Sequence, residues 1–388
     1  MALAAQGWAA PWARDLDSAM AHAREAIALA QPIGADTVLA RAQFTFGFVK
    51  AVTGGLVEGK AAIADALRAS RSAGDVVHES LALTVAGLMK SWEGEYPEAY
   101  RLQVDASAVA RQHNLLYPML FNAFLRGVTL TAKGDYGMAL ATFDEGTALA
   151  QKVGDEAIYH RLLNCRGWLH FELGDLAGAA DLNAQSAAIG RRRRDDGTLA
   201  NAEINVGDVL LARGDLAGAA EIFAGMERMA ADPATSPWMR YRYTNRLWAS
   251  MGELALARGD LDGARARARQ CLEAATRSNA RKNLVKGWRL TGEIACAAHR
   301  WEEAHTALNE ALVVAAAIRN PTQLWRTHRA FGAYHAARGE KETAHEAYRA
   351  ARAVVDDMLV AVTAPELRAS LEALPAVREL TQYARQSM

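Results

Sequence analysis

The sequence is poor in cysteine, proline and aromatic residues. Its 388 positions include three cysteines and nine prolines, and aromatics make up 7%. Cys165, Cys271 and Cys296 cannot frame so long a chain with disulfides, so a reducing compartment, the cytoplasm, is expected. Neither sign of charge is in excess. The chain has 44 Lys and Arg against 44 Asp and Glu, divided as 19 against 20 up to Arg194 and 25 against 24 beyond it. Direct binding of nucleic acid or of an anionic membrane surface needs surplus positive charge, so neither is expected. No apolar run nears the roughly 18 residues that span a bilayer. The opening MALAAQGWAAPWAR has no basic segment followed by an apolar one, so no secretory signal is expected. Neither a G-x-x-x-x-G-K-[ST] loop nor a G-x-G-x-x-G turn after a strand is present to cradle phosphate.

Alanine is abundant, with 84 residues, and it is placed periodically. A two-residue turn signal recurs at Arg14-Asp15, Gly54-Gly55, Gly94-Glu95, Gly134-Asp135, Gly174-Asp175, Gly214-Asp215, Gly259-Asp260, His299-Arg300 and Gly339-Glu340. Each step is 40 residues except one of 45. Seven residues before each turn stands a second glycine: Gly7, Gly47, Gly87, Gly127, Gly167, Gly207, Gly252, Gly292 and Gly332. Five residues after it stands Gly59 or an alanine (Ala19, Ala99, Ala139, Ala179, Ala219, Ala264, Ala304, Ala344). Three columns that hold phase through nine units define a repeat protein.

Between turns, apolar residues recur three and four apart in segments rich in Ala, Leu, Arg and Glu, which predicts helices. The turn glycine ends one helix in the left-handed conformation, and the acid after it caps the next. A mid-helix glycine costs about 1 kcal/mol relative to alanine, so the glycine column implies close helix contact, with the small alanine column as its partner. A second turn, at or near Gly34, Gly74, Asn114, Gly154, Arg194, Asn279 and Asn320, closes each unit. Each repeat thus reads helix A, tight turn, helix B. Helix A is expected over 36–53, 76–93, 116–133, 156–173, 240–258 and 280–298, and helix B over segments such as 135–152 and 175–192. Residues 1–362 are expected to form one superhelix, with a partial first repeat at 1–34 and eight further repeats. Gly7 and Pro11 make that first unit truncated or irregular. A capping helix and tail follow at 363–388. The five extra residues fall at 232–237, where two prolines stiffen a longer loop that is expected to be neutral or to alter the local pitch.

These columns resemble the tetratricopeptide repeat, W-x2-L-G-x2-Y then A-x3-F over about 34 residues. Trp248 and Trp288 stand four before their glycines, and Ala139/Phe143, Ala219/Phe223 and Ala344/Tyr348 supply the second part. The longer period resembles the solenoids of bacterial signalling proteins, such as maltose-type regulators and the tails of proteins with a cyclase or kinase domain and an ATPase module. The segments 319–328 and 365–375 are similar to the last helix A and the terminal cap of that group. The resemblance implies an all-α, right-handed solenoid of helical hairpins with a C-terminal cap. It also implies a non-catalytic sensor or scaffold, binding a protein, a peptide (an acidic one included), a small effector or other domains of a longer polypeptide. A free-standing peptide-responsive regulator is the alternative, and an enzyme with an unrecognised groove site is a further one.

By the same resemblance, helix A positions six before, three before and one after the glycine line the concave groove. They give an apolar N-terminal half with Phe44, Phe121 and Phe124, a middle with Arg161, Asn164, Trp168 and Asn201, and a basic C-terminal half with Arg246, Lys286, Arg289, Arg326 and Arg329. Arginine there would bind an anionic ligand by charge-assisted hydrogen bonds. The carboxylate clamp of chaperone-binding repeats is not expected, because Asn164, Trp168, Asn205, Arg246 and Ser250 supply two of its five residues. Trp248, Trp288 and Trp301 are expected in the core. Cys296, His299, His305, His328 and His335 do not reach a four-ligand metal set, so no metal or cofactor is expected. No nucleophile, base and acid converge, and no catalytic residue is assigned. The run Arg191–Arg194 suits a helix C-terminus.

Overall fold

The computed structural model describes residues 16–385. The expected partial helix A of the first repeat, with Gly7, Pro11 and the first turn, lies outside the described residues. Helix α1 (Leu16–Ala30) is the B helix of unit one, and a short 3-10 turn follows it. Then come hairpins of α2 (Asp36–Val52) with α3 (Leu56–Ala73), α4 (Val76–Trp92) with α5 (Tyr96–Gln112), and α6 (Leu116–Lys133) with α7 (Tyr136–Val153). The series continues with α8 (Glu156–Glu172) and α9 (Leu176–Arg193), then α10 (Asp196–Ala212) and α11 (Leu216–Ala231). A π-helical turn, Met239–Tyr243, leads into α12 (Thr244–Ala257), which pairs with α13 (Leu261–Arg277). The last hairpins are α14 (Arg281–Ala297) with α15 (Trp301–Ile318) and α16 (Pro321–Ala337) with α17 (Lys341–Ala361). Two short helices, α18 (Pro365–Ala373) and α19 (Pro375–Arg385), form the cap. Among the described residues there is no strand.

The turns form as their residues require. Among the described residues each A–B turn holds one left-handed residue, a glycine everywhere except His299. The following residue donates its amide five residues back, as Asp215 does to the Leu210 carbonyl at 2.9 Å, which closes the helix end. Asp175, Asp215 and Asp260 then cap the next helix, but Asp135 pairs with Lys133 and makes no cap bond. In the second turn Arg319, not Asn320, is left-handed, and Asn320 caps α16 through the Gln323 amide.

The helix contact differs in detail from the sequence reading. The glycine column faces mainly the residue four beyond the alanine column, where Phe143, Phe223, Leu308 and Tyr348 lie over Gly127, Gly207, Gly292 and Gly332. A β-carbon on Gly207 would stand 2.4 Å from Phe223 Cε1. The alanine column is fully buried beneath, from Ala99 to Ala304. Trp248, Trp288 and Trp301 are half-buried, packed against the clusters rather than inside them.

Each A helix packs on its own B helix and on the next A helix, so the A helices line the inner side of the curve. The superhelix then meets itself. Gly94 lies against Ile318, Gly134 against Pro321 and Gly174 against Leu374. Asn320 Nδ2 donates to the Ala132 carbonyl at 2.7 Å across 188 residues of sequence. Helix α16 packs on α6 and α17 on α7, and Leu367, Leu371 and Leu380 of the cap join the same core cluster as Tyr136 and Leu173. At Gly94, Gly134 and Gly174 the missing side chain serves twice, permitting the left-handed turn and the approach of the seam.

The extra residues 232–237 are followed by the π turn Met239–Tyr243, in which Tyr241 lies against Gly54 of unit two. Pro233 and Pro237 share a surface hollow with Leu16 and Met20 of α1. The added residues therefore bridge the middle of the chain to its beginning.

Candidate functional site

Because the A helices face inward and the turns close on themselves, the superhelix encloses a lumen. At its centre is a cavity of about 210 Å³. Phe48, Leu88, Phe124, Val128 and Trp168 line it from α2, α4, α6 and α8, with Asn201 of α10, Arg246 of α12 and Lys282 of α14. Trp238, Arg242 and Tyr243 enter it from the π turn.

One wall is aromatic. Phe48 meets Phe121 and Trp238 edge-on at 6.3 and 5.9 Å, and Trp238 meets Trp92 at 6.2 Å and stacks on Tyr243. The other wall carries Arg161, Arg242, Arg246 and Lys282, and no carboxylate lines the cavity among the described residues. Arg161 reaches Asp195 at 2.5 Å, and Arg246 reaches Asp208 at 2.5 Å. Burial raises the Asp195 carboxyl, but Arg161 and His160 outweigh it and hold it well below the usual range. Lys282 sits 4.1 Å over the Trp168 ring, whose Nε1 donates to Glu172 at 2.8 Å. Burial pushes Lys282 down to about 8, with Glu172 working the other way.

Of the twelve sequence candidates, six meet in this cavity: Phe121, Phe124, Arg161, Trp168, Asn201 and Arg246. The other six do not line it. Phe44 is buried behind Phe48, stacked on it at 6.1 Å. Asn164 lies in a buried amide network, donating to Asn183 at 2.8 Å and accepting from Asn201. Arg289 is buried and donates to Gln323 at 3.0 Å. Arg329 is held by Glu379 of the cap at 2.8 Å. Lys286 and Arg326, with Lys282, surround buried Glu172. The basic C-terminal face of the sequence reading is thus largely neutralised from within. The reason lies in the column one after the glycine, from which only Trp168 was taken: there Asp208, Glu253 and Glu293 supply acids beside those arginines.

Sequence reasoning missed Trp92, Trp238, Arg242, Tyr243 and Lys282. Arg242 and Lys282 each stand ten before their glycine, one helical turn ahead of Arg246 and Lys286. Extending the groove face by that turn would have found them. Trp238 and Tyr243 follow the one break in the period.

Among the described residues no group of three or more His, Cys, Asp and Glu could hold a metal ion, and no helix is long and apolar enough to cross a membrane. Comparison with protein-family models gives no match, and comparison with curated proteins gives none either. Solved structures do match. A Rap protein complexed with Competence and Sporulation Factor is similar over 89% of this chain and 98% of its own, at 12% identity and a TM-score of 0.61. A signal transduction ATPase with a tetratricopeptide repeat sensor from Pyrococcus horikoshii matches 92% of this chain and 55% of its own, at 12% identity and a TM-score of 0.45. The TPR2AB domain of yeast Sti1 in an HSP90 complex matches 80% and 99%, at 16% and 0.28. With its unbroken series of helical hairpins, the chain has the fold of a tetratricopeptide-type α-solenoid.

Proposed function

We propose that the chain is a non-catalytic binding scaffold whose lumen receives a peptide or a small effector. The carrying observation is the central cavity, to which successive A helices each contribute side chains, with an aromatic wall facing a cationic one. Ligand sites combine apolar lining with a few fixed polar groups in this way. Phe121, Phe124, Arg161, Trp168, Asn201 and Arg246 would touch the ligand. Phe44, Asn164, Lys286, Arg289, Arg326 and Arg329 would hold the walls in place. The similar Rap protein was solved with Competence and Sporulation Factor bound, which supports a peptide as occupant.

In this reading the chain is the sensor or interaction region of a bacterial signalling or transcriptional regulator, working in the cytoplasm. It would answer a ligand or report to other domains of a longer polypeptide. A second reading is a free-standing peptide-responsive regulator.

A library of short peptides, screened by the fluorescence of Trp92, Trp168 and Trp238, tests the proposal. Trp168→Ala and Phe124→Ala should each weaken the best binders roughly tenfold or more, as loss of a buried anchor does. Val57→Ala, on an exposed outer position, should leave them unchanged. Binders indifferent to both lumen substitutions would place the site elsewhere.

A further inference from the structure

We infer that the π turn Met239–Tyr243 builds an anion receptor in the lumen, and that its ligand is a single carboxylate carried on an apolar or aromatic body. The inference deepens the scaffold reading and rests on the lumen being the ligand site.

The receptor is Arg242. Its guanidinium lies 3.6 Å from the centre of the Trp92 ring, a stacked arrangement that covers one face and leaves the N–H edge for a planar acceptor. No carboxylate among the described residues pairs with it, and the Tyr243 phenol beside it stays neutral because burial pushes its hydroxyl up. Burial pushes Arg242 down to about 9, with Tyr243 working the other way. Natural interiors seldom keep a desolvated cation without a partner, because the uncompensated charge is costly. Arg242 itself is half-buried at the cavity wall, and the Nε1 of Trp238 in the same wall is a buried donor without an acceptor. Two donors are thus left over on the segment that follows the break in the 40-residue period. π turns are costly irregularities that persist mostly at functional sites.

Of the four lining cations, Arg161 is paired with Asp195 and Arg246 with Asp208, and Lys282 shares Glu172 with Lys286 and Arg326. Arg242 is the lining cation with no carboxylate paired to it among the described residues, and the planar carboxylate is the acceptor that matches its N–H edge. The cavity volume of about 210 Å³ and its aromatic wall suit one ring or branched side chain beside that carboxylate. A peptide's C-terminal residue and a free aromatic acid share this chemistry.

The test is calorimetric titration of the full chain with 3-phenylpropionate, its amide, phenyl phosphate, and Ala-Ala-Phe with a free or an amidated C-terminus. The free acids should bind roughly tenfold to a hundredfold more tightly than the amides, the range of one charge-assisted bond. Arg242→Gln should abolish that preference, and Arg242→Lys should reduce it. Arg242→Met should raise the Tm of the ligand-free protein by removing the unpaired charge, a readout independent of any ligand. Preference confined to the peptide acid identifies a chain terminus as the source. Preference confined to phenylpropionate identifies a small acid. Either result supports the inference. It is overturned if Arg242→Gln keeps the preference, if phenyl phosphate binds best, or if no acid is preferred over its amide. Amides that bind as well as acids but are weakened by Trp168→Ala would overturn the carboxylate and leave the scaffold reading standing. Binding that neither Trp168→Ala nor Phe124→Ala weakens would sink the scaffold reading itself.

Discussion

Replacing Phe223 by alanine should destabilise the protein by about 3–5 kcal/mol, the usual cost of emptying a fully buried aromatic site. Phe223 has no exposed surface and lies over Gly207, where α10 and α11 come closest. The reciprocal change, Gly207→Ala, gains about 1 kcal/mol of helix propensity. It also thrusts a methyl group into the phenyl ring, and overpacking of that kind costs about 1–3 kcal/mol. A net loss is expected. Combining Gly207→Ala with Phe223→Leu should lose less than the sum of the two, since they share one contact. Urea unfolding followed by circular dichroism reads Phe223→Ala and the four proteins of the cycle, wild type, Gly207→Ala, Phe223→Leu and the double variant. An additive cycle would mean that the glycine column is not kept for this packing.

Glu172→Gln should be nearly as damaging, at about 3 kcal/mol or more, because it leaves buried cations without their counter-charge. Glu172 lies at the seam, bonded to Trp168 and facing Lys282, Lys286 and Arg326 from the other side of the superhelix. Burial alone would raise its carboxyl, but Arg326, Lys282 and Lys286 prevail and hold it at about 2, against an ordinary 4.5. A folded-state value below the unfolded one means stability that is fully present above about pH 5. That stability is lost as the pH falls through 4.5 towards 2. The gap between wild type and variant should therefore be widest near neutrality and close in acid. A gap that stays constant from pH 7 to pH 3 would mean that the carboxylate does not act through its charge.

The two variants also separate what the sequence makes legible from what it hides. Gly207, Ala219 and Phe223 recur at fixed spacing because each unit repeats one local contact, so the hairpins and their order could be read directly. Phe121, Phe124, Arg161, Trp168, Asn201 and Arg246 were found because inward-facing columns inherit that period. The seam is different. Asn320 on the Ala132 carbonyl, or Ile318 against Gly94, joins points about half the chain or more apart through single residues, and no periodicity marks them. Neutralisation was hidden for a related reason. Arg329 looks like a free groove charge until the fold brings Glu379 to it, and Arg289 looks like one until the fold buries it against the Gln323 amide. The insertion at 232–237 showed as a break in the count, but not that the turn after it would carry Arg242 onto Trp92.

Amide hydrogen exchange with and without a bound ligand tests the central claim most directly, because it reports every helix at once. If the lumen is the ligand site, binding should slow exchange in α4, α6 and α8 and in residues 238–246, the elements that surround the cavity. The outer helices α5, α7 and α9 should change little. Protection confined to those outer helices, with α4, α6, α8 and 238–246 unaffected, would contradict the account.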